Sequence, residues 1–194
     1  MARILIVGGG CPGRRLAELI VERGHAVRIT TRSERRRAAI EASGAECWIG
    51  TPDRLATMRG ALENVTIACW LLAGAHGEHE QLRALHGSRL EYFLTQAIDT
   101  TVRGFVYDAT PRPLATAGGD ALGGGGDMAG RGDAADDEGV APPLLAEGAE
   151  IVRRLTALNA IPAAVLGDDD ASFASDAWVE RAACAIDALL AGRA

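Results

Sequence analysis

Six residues near the start of the chain form a glycine-rich turn whose spacing suits the binding of a phosphate. They are Gly8, Gly9, Gly10, Cys11, Pro12 and Gly13, which together satisfy the pattern G-x-G-x-x-G. In such a turn the first glycine permits a tight bend, the second lets the backbone approach a pyrophosphate, and the third lets a helix pack closely. The alternative is a glycine turn that binds no ligand, and the flanking segments bear on the choice.

The segments on either side of the turn are those that a dinucleotide site requires. The apolar run Arg3–Val7 predicts a buried strand, residues 12–23 predict an amphipathic helix, and Ala26–Thr31 predicts a second strand. Pro12 suits the first turn of a helix, because the N–H group that proline lacks would have no partner there. The start of this helix would face an anion held by the turn. The unit therefore predicts a site for the diphosphate of a dinucleotide.

The end of the second predicted strand indicates which dinucleotide binds. An acidic residue there favours NAD, because it accepts hydrogen bonds from the adenosine ribose, whereas arginine accommodates the 2′-phosphate of NADP. The chain has Thr31, Arg32 and Ser33 at this point, and the next acidic residue is Glu34. These three side chains can make charge-assisted hydrogen bonds to a phosphate. We expect NADP rather than NAD; the alternative is that the arginines only cover an exposed helix start.

Few groups of residues in the sequence could bind a metal ion. His76, Glu78, His79 and Glu80 are close together, but the acidic residues would also stabilise a helix N-terminus without any metal. The four cysteines are far apart and form no Cys-x-x-Cys pair: Cys11, Cys47, Cys69 and Cys184. We expect four free thiols and no metal site. An acid or base role for one of the histidines stays open.

The composition excludes several classes of function. All 20 basic residues are arginine, so the chain has no lysine for a Schiff base or a phosphate-binding loop. The net charge of −6 argues against a nucleic-acid partner, because phosphate binding needs a basic surface. No apolar run approaches the roughly 20 residues that span a bilayer, and no signal segment is evident. We therefore expect no membrane partner and a cytoplasmic location.

Short apolar runs alternate with longer amphipathic segments along the chain, which predicts a three-layer α/β fold. The further predicted strands are 46–49, 65–72, 104–108 and 161–166, and the further helices are 34–43, 53–62, 79–99, 142–158 and 175–191. This alternation is typical of a Rossmann fold, a doubly wound parallel sheet of about six strands in the order 3-2-1-4-5-6. Residues 111–139, rich in glycine, alanine and aspartate, predict a flexible loop. We expect a single domain over residues 1–194.

The first 110 residues resemble the cofactor-binding half of the extended and atypical short-chain dehydrogenase/reductase superfamily, which includes nucleoside-sugar epimerases and NmrA-like proteins. The glycine motif, the Thr31-Arg32 strand end and residues 71–75 and 105–110 carry the resemblance. It implies that residues after the fourth strand border the nicotinamide side of the cofactor: Leu72, Ala73 and Gly74. It also implies that Asp53 lies near the adenine, although this residue is equally well placed to cap the helix at 53–62.

The chain departs from this superfamily at the catalytic residues. Members of the group share a Tyr-x-x-x-Lys pair, in which the lysine lowers the pKa of the tyrosine so that it can act as an acid or base. Neither Tyr92 nor Tyr107 is followed by a lysine. Thr110 occupies the position of the superfamily's catalytic serine or threonine, but a lone hydroxyl does not define a reaction. The catalytic residues therefore stay unknown.

Two functions from different classes agree with these features. In the first, the chain is an atypical NADPH-dependent reductase of an unknown small-molecule substrate, and the cofactor supplies the hydride. In the second, it is a non-catalytic NADP-binding regulatory or redox-sensing protein that acts on a protein partner. The resemblance further implies a homodimer through the helix at 80–99. On that helix we expect four residues to face solvent or an interface: Arg83, His86, Arg89 and Tyr92.

Overall fold

The chain folds into a parallel sheet with helices on both faces, as a computed structural model shows for residues 1–111, 138–167 and 175–192. The strands are β1 (Arg3–Val7), β2 (Ala26–Thr31), β3 (Glu46–Ile49), β4 (Ile67–Trp70), β5 (Gly104–Asp108) and β6 (Ala163–Leu166). The helices are α1 (Cys11–Glu22), α2 (Arg37–Glu41), α3 (His79–His86), α4 (Ser88–Ile98), α5 (Pro142–Leu158) and α6 (Asp176–Leu190). None of the helices in these ranges is long and apolar enough to cross a membrane.

The order of the strands creates a crevice at one edge of the sheet. Hydrogen bonds join the strands in the order β3-β2-β1-β4-β5-β6, and every neighbouring pair is parallel. The chain moves towards one side of the sheet from β1 to β3 and towards the other side from β4 to β6. Doubly wound sheets bind ligands where the direction reverses, which is here at the carboxyl ends of β1 and β4. The predicted fold class and strand order are confirmed.

Burial on both faces explains why the central strands β1, β4 and β5 are apolar almost throughout. Along β1, Ile4 and Ile6 pack in one cluster with residues of α1 and α6. Leu5 and Val7 point to the other face and pack with residues of α4 and α5. All four side chains are fully buried. A strand that is covered on both sides has no solvated face, so the alternation of apolar and polar residues disappears.

The helix predicted at 79–99 is two helices in the structure. The break falls at Gly87, whose φ of −113° and ψ of −107° are not helical. A Cβ atom at this position would lie 2.8 Å from the carbonyl oxygen of Arg83. Glycine is therefore the residue that allows the chain to turn between α3 and α4. The helix predicted at 34–43 is likewise shorter, because Glu34–Arg36 is a 3-10 turn that precedes α2.

The prediction that Asp53 caps a helix at 53–62 is wrong. This stretch contains two 3-10 turns, Leu55–Met58 and Gly60–Leu62, and the residue before the first of them is Arg54, with no capping side-chain hydrogen bond. The Asp53 carboxylate instead lies 2.6 Å from the guanidinium of Arg89. A tertiary ion pair thus replaces the local hydrogen bond that the sequence suggested.

Most of the predicted loop at 111–139 lies outside the described residues. Its end is described, because Glu138–Gly139 forms a short strand that pairs antiparallel with His76–Gly77. A loop prediction is therefore wrong for these last two residues. The pairing brings the chain back beside the segment that leaves β4, so the far end of this insertion is tied to the crevice.

Arg28, in the middle of β2, ties the sheet to the 3-10 turns beside it. Its side chain is only 5% exposed, and Nη1 donates to the carbonyl oxygens of Gly60 (3.1 Å) and Ala61 (2.7 Å). Its Nε lies 3.0 Å from a carboxylate oxygen of Glu46, and its guanidinium lies 5.1 Å from the centre of the Trp48 ring. A buried cation is tolerated here because carbonyl oxygens, a carboxylate and an aromatic ring lie around it.

The variant Arg28→Met should lower the free energy of unfolding by about 2 kcal/mol, since it leaves buried carbonyl groups without their charged donor. Urea denaturation followed by circular dichroism measures the change. Arg3→Met is the matched control, because Arg3 lies 3.9 Å from the same Glu46 carboxylate but is half-exposed; it should change stability by less than about 0.5 kcal/mol. Equal effects of the two substitutions would contradict this account of Arg28.

Candidate dinucleotide-binding site

Gly8 makes the bend at which the chain leaves β1. Its φ of +128° lies where L side chains are rarely found, and a Cβ atom would lie 2.5 Å from the carbonyl oxygen of Leu71. The N–H of Leu71 in turn donates to the carbonyl oxygen of Val7 at 2.9 Å. The bend therefore sits directly against the chain that leaves β4, and only glycine permits this approach.

The other glycines of the turn have different surroundings. A Cβ atom at Gly13 would overlap the carbonyl oxygen of Gly8, so glycine allows the first turn of α1 to lie on the bend. Gly9 is buried against the end of β2, where an added Cβ atom would lie 3.1 Å from the carbonyl oxygen of Thr30. At Gly10 the nearest atom would be Cδ of Pro12 at 3.7 Å. A Cβ atom at Gly10 would therefore make only an ordinary contact, so this position is the least crowded of the four glycines.

The start of α1 is open to a ligand. Gly10 is the residue before the helix, Pro12 lies in its first turn, and no side chain caps this end. Cys11 is exposed beside it. The unpaired N–H groups at a helix start carry partial positive charge, so an uncapped start that faces a crevice is suited to an anion.

Arg32 lies at the carboxyl end of β2 with its side chain exposed. Thr31 shapes this exit, because its Oγ1 accepts from the N–H of Ser33 (3.2 Å) and its carbonyl oxygen accepts from the N–H of Gly50 (2.9 Å). Within the described ranges no carboxylate pairs with Arg32. By contrast Arg37 pairs with Glu34 and Glu41, and its hydrogen bond lowers the pKa of Glu34. The Arg32 charge is thus available at the crevice.

Asp53 lies at the exit of β3, on the same edge of the sheet, and is already engaged. One carboxylate oxygen accepts from Oγ1 of Thr51 at 3.0 Å, and the other lies beside Arg89. The expectation that Arg89 faces solvent or an interface is wrong, because only 26% of its side chain is exposed and it holds this carboxylate. The pair connects the start of α4 to the side of the crevice where Arg32 lies.

The chain that leaves β4 forms a tight turn beside the glycine bend. The N–H of Ala75 donates to the carbonyl oxygen of Leu72 at 2.9 Å. Within the turn Ala73 is 1% exposed, whereas Leu72 and Gly74 are partly exposed. The structure therefore brings these three predicted residues to the same edge as the glycine motif.

His86 is a residue that sequence reasoning misplaced. It was expected on a solvent or interface face, but it is 1% exposed, and its Nδ1 lies 2.7 Å from the hydroxyl of Tyr107 on β5. Its Nε2 lies 3.3 Å from the carbonyl oxygen of Leu72. The spacing contained a signal, since His86 follows the buried Leu82 by four residues and therefore shares its side of the helix. Tyr92, by contrast, is exposed as expected.

Thr110 lies just beyond β5 and is 3% exposed. Its N–H donates to a carboxylate oxygen of Asp108 at 3.1 Å. Its Oγ1 is buried and has no hydrogen-bond partner among the residues that the structure describes. Buried hydroxyl groups nearly always have a partner, so an unpartnered one beside a crevice is consistent with a ligand that supplies it.

The histidines near β4 do not form a metal centre in the described ranges. His76 is exposed in its two-residue strand, and His79 begins α3. In this part of the chain no three side chains of histidine, cysteine, aspartate or glutamate come close enough to hold a metal ion.

Solved structures of other proteins share this fold at low sequence identity. A short-chain dehydrogenase/reductase superfamily protein from Agrobacterium tumefaciens, solved with bound NAD, is 17% identical, with a TM-score of 0.60 over 97% of this chain and 62% of that chain. UDP-glucuronic acid 4-epimerase from Bacillus cereus, in complex with NAD, is 12% identical, with a TM-score of 0.59 over 85% and 55%. Vestitone reductase from alfalfa is 16% identical, with a TM-score of 0.54 over 85% and 56%.

These likenesses establish the fold. The chain shares the Rossmann architecture of these structures, one of which is a short-chain dehydrogenase/reductase superfamily protein, so the expected resemblance is confirmed at the level of the fold. It spans between 55% and 62% of the length of the three proteins. No protein-family model and no curated protein sequence matches the chain.

Gly13→Ala should lower the free energy of unfolding by about 2 kcal/mol, because its Cβ atom would displace α1 from the bend. Gly10→Ala is the matched control for the same chemical change, since its Cβ atom would make only an ordinary contact, 3.7 Å from Cδ of Pro12. The stability of this variant should stay within about 0.5 kcal/mol of the parent. Thermal unfolding measures both variants. Greater destabilisation by Gly10→Ala would contradict the geometry of the turn.

Burial, and secondarily the charge of Asp108, raises the pKa of Tyr107 above its ordinary value. In the variant Tyr92→Phe, where Tyr107 is the remaining tyrosine, the folded protein should show no tyrosinate absorbance at about pH 10, whereas the denatured chain should be half ionised. Since only the unfolded state ionises in this range, stability should fall as the pH rises above about 10. If Tyr107 ionised at the same pH in the folded variant as in the denatured chain, the result would contradict burial of this hydroxyl.

Proposed function

We propose that the chain binds a dinucleotide across the carboxyl ends of β1, β2 and β4, and that it prefers NADP to NAD. The observation that carries the proposal is the pairing of an open glycine turn with an exposed, unpaired arginine at the next strand exit. Gly10 is not crowded by its neighbours, so a pyrophosphate could approach its backbone, and the start of α1 would offer N–H groups to it. Arg32 offers a cation to a phosphate on the neighbouring ribose.

The preference for NADP follows from the charges at the exit of β2. NAD would present ribose hydroxyl groups, whose hydrogen bonds an acidic residue at this position would accept. Glu34, the nearest carboxylate in the sequence, is engaged with Arg37. Thr31 and Ser33 add hydroxyl groups beside Arg32, which suits a phosphate with several acceptor oxygens. Leu72, Ala73 and Gly74 would then border the nicotinamide half, and Asp53 would lie towards the adenine.

We further propose that the chain is a reductase of a small molecule whose identity is open. Bound NADPH would supply a hydride. The residues available beside it are few, because Tyr107 is buried against His86 and has no lysine to lower its pKa. The hydroxyl of Thr110 is buried and has no partner within residues 1–111, 138–167 and 175–192, and we assign to it the role of hydrogen-bonding a ligand oxygen at the end of β5.

Arg32→Glu should weaken the binding of NADPH by roughly 10- to 100-fold, because it removes charge-assisted hydrogen bonds to the 2′-phosphate and adds repulsion. The binding of NADH, which has no such phosphate, should change by less than about threefold. Titration calorimetry with both nucleotides measures the difference. Equal losses for NADPH and NADH would contradict the phosphate assignment.

Arg103→Glu is the control for this experiment. It makes the same change in charge at another exposed arginine, but Arg103 precedes β5 at the opposite edge of the sheet. It should leave both affinities unchanged within about twofold.

Oxidation of NADPH with a panel of carbonyl, quinone and flavin substrates tests the reductase proposal separately. Tight binding without turnover of any substrate would favour the regulatory alternative.

A further inference from the structure

We infer that the buried pair of Tyr107 and His86 positions the Leu72 carbonyl, and through it the part of the crevice that receives the nicotinamide half of the dinucleotide. This inference rests on the proposed function. It assigns a role to two polar side chains that neither the glycine motif nor the phosphate-binding arginine explains. Both are positioning residues, because both are at most 1% exposed and neither reaches the crevice surface.

The chemistry of the partners determines the direction of the hydrogen bonds. A carbonyl oxygen only accepts, so the proton of His86 must lie on Nε2, which donates to the Leu72 carbonyl oxygen at 3.3 Å. A neutral imidazole then has an unprotonated Nδ1, which accepts from the Tyr107 hydroxyl at 2.7 Å. The pair is therefore a chain of donors that begins at β5 and ends on the turn after β4.

The neighbouring helix α5 leaves space for the pair at a glycine. A Cβ atom at Gly148 of α5 would overlap the Tyr107 hydroxyl and would lie 3.0 Å from the carbonyl oxygen of His86. The rings of His86 and Tyr107 meet edge to face, with centroids 5.9 Å apart. Three elements thus hold the pair in one arrangement, and a small residue on α5 is a condition of that arrangement.

The Leu72 carbonyl is the point at which this network meets the site. The same oxygen accepts from the N–H of Ala75 and so closes the turn. The preceding residue, Leu71, contacts the bend at Gly8. With the pyrophosphate at that bend and the adenosine half towards Arg32, the other half of the dinucleotide lies over the exits of β4 and β5. A shift of the Leu72 turn would therefore disturb the nicotinamide half and spare the adenosine half.

The experiment compares the whole cofactor with its adenosine half in the full chain. Binding of NADPH is measured by dihydronicotinamide fluorescence, and binding of 2′-phospho-ADP-ribose by calorimetry. Tyr107→Phe and His86→Leu should each weaken the binding of NADPH by roughly fivefold or more, as expected for a lost buried hydrogen bond. The affinity for 2′-phospho-ADP-ribose should stay unchanged within about twofold. His86→Gln should restore most of the NADPH affinity lost in His86→Leu, because its amide can still donate to the carbonyl. Tyr92→Phe, which removes an exposed hydroxyl, is the control and should change neither.

The outcomes separate this inference from the proposal beneath it. Failure of the parent chain to bind either NADPH or the fragment would overturn the proposed function. If the parent binds both ligands and the variants lose affinity for NADPH and for the fragment to the same extent, the pair only stabilises the fold. That result would overturn the inference. Unchanged NADPH affinity in Tyr107→Phe and His86→Leu would overturn it too, as would a Gln variant as weak as the Leu variant.

Discussion

The close approach of Gly8 to the carbonyl oxygen of Leu71 is the contact on which the site depends. It joins the exits of β1 and β4, the two central strands at which the chain changes direction. Because a side chain at Gly8 would separate these exits, glycine at this position keeps them together. It also determines where α1 begins, since Gly13 packs on the same bend. The anion site and the turn after β4 are therefore positioned by one backbone contact.

The two sides of the crevice are built from different interactions. On the β2 side the structure leaves a charge exposed at Arg32, while the neighbouring Arg37 is neutralised by carboxylates. On the β5 side Tyr107 and His86 are buried and hydrogen-bonded to each other beneath the Leu72 turn. An exposed charge gains from a charged ligand in water, whereas a buried hydrogen-bonded network gains from rigidity.

The sequence predicted the bounds of an element correctly where its apolar pattern fitted only one type of secondary structure. The bounds of β1, β2, β3 and β5 follow from apolar runs between turn residues, and α5 from an apolar period that begins at a proline. It failed where a tertiary partner replaced a local one. Asp53 looked like a helix cap, but it pairs with Arg89, which is distant in the sequence. His86 shared helical spacing with arginines, yet it lies on the buried side of α3 with Leu82, and the break at Gly87 separates it from Arg89 and Tyr92 on α4.

The sequence by itself determined the fold class, the strand order and the positions of the glycine turn and Arg32, because these follow from local periodicity and from residues whose backbone chemistry is specific. Only the tertiary structure decided which polar side chains are paired. Whether Arg32 is free, Asp53 is engaged or Tyr107 is buried depends on atoms brought together across the sheet by packing. Such contacts join residues that no local pattern relates, so they become visible only when the chain is folded.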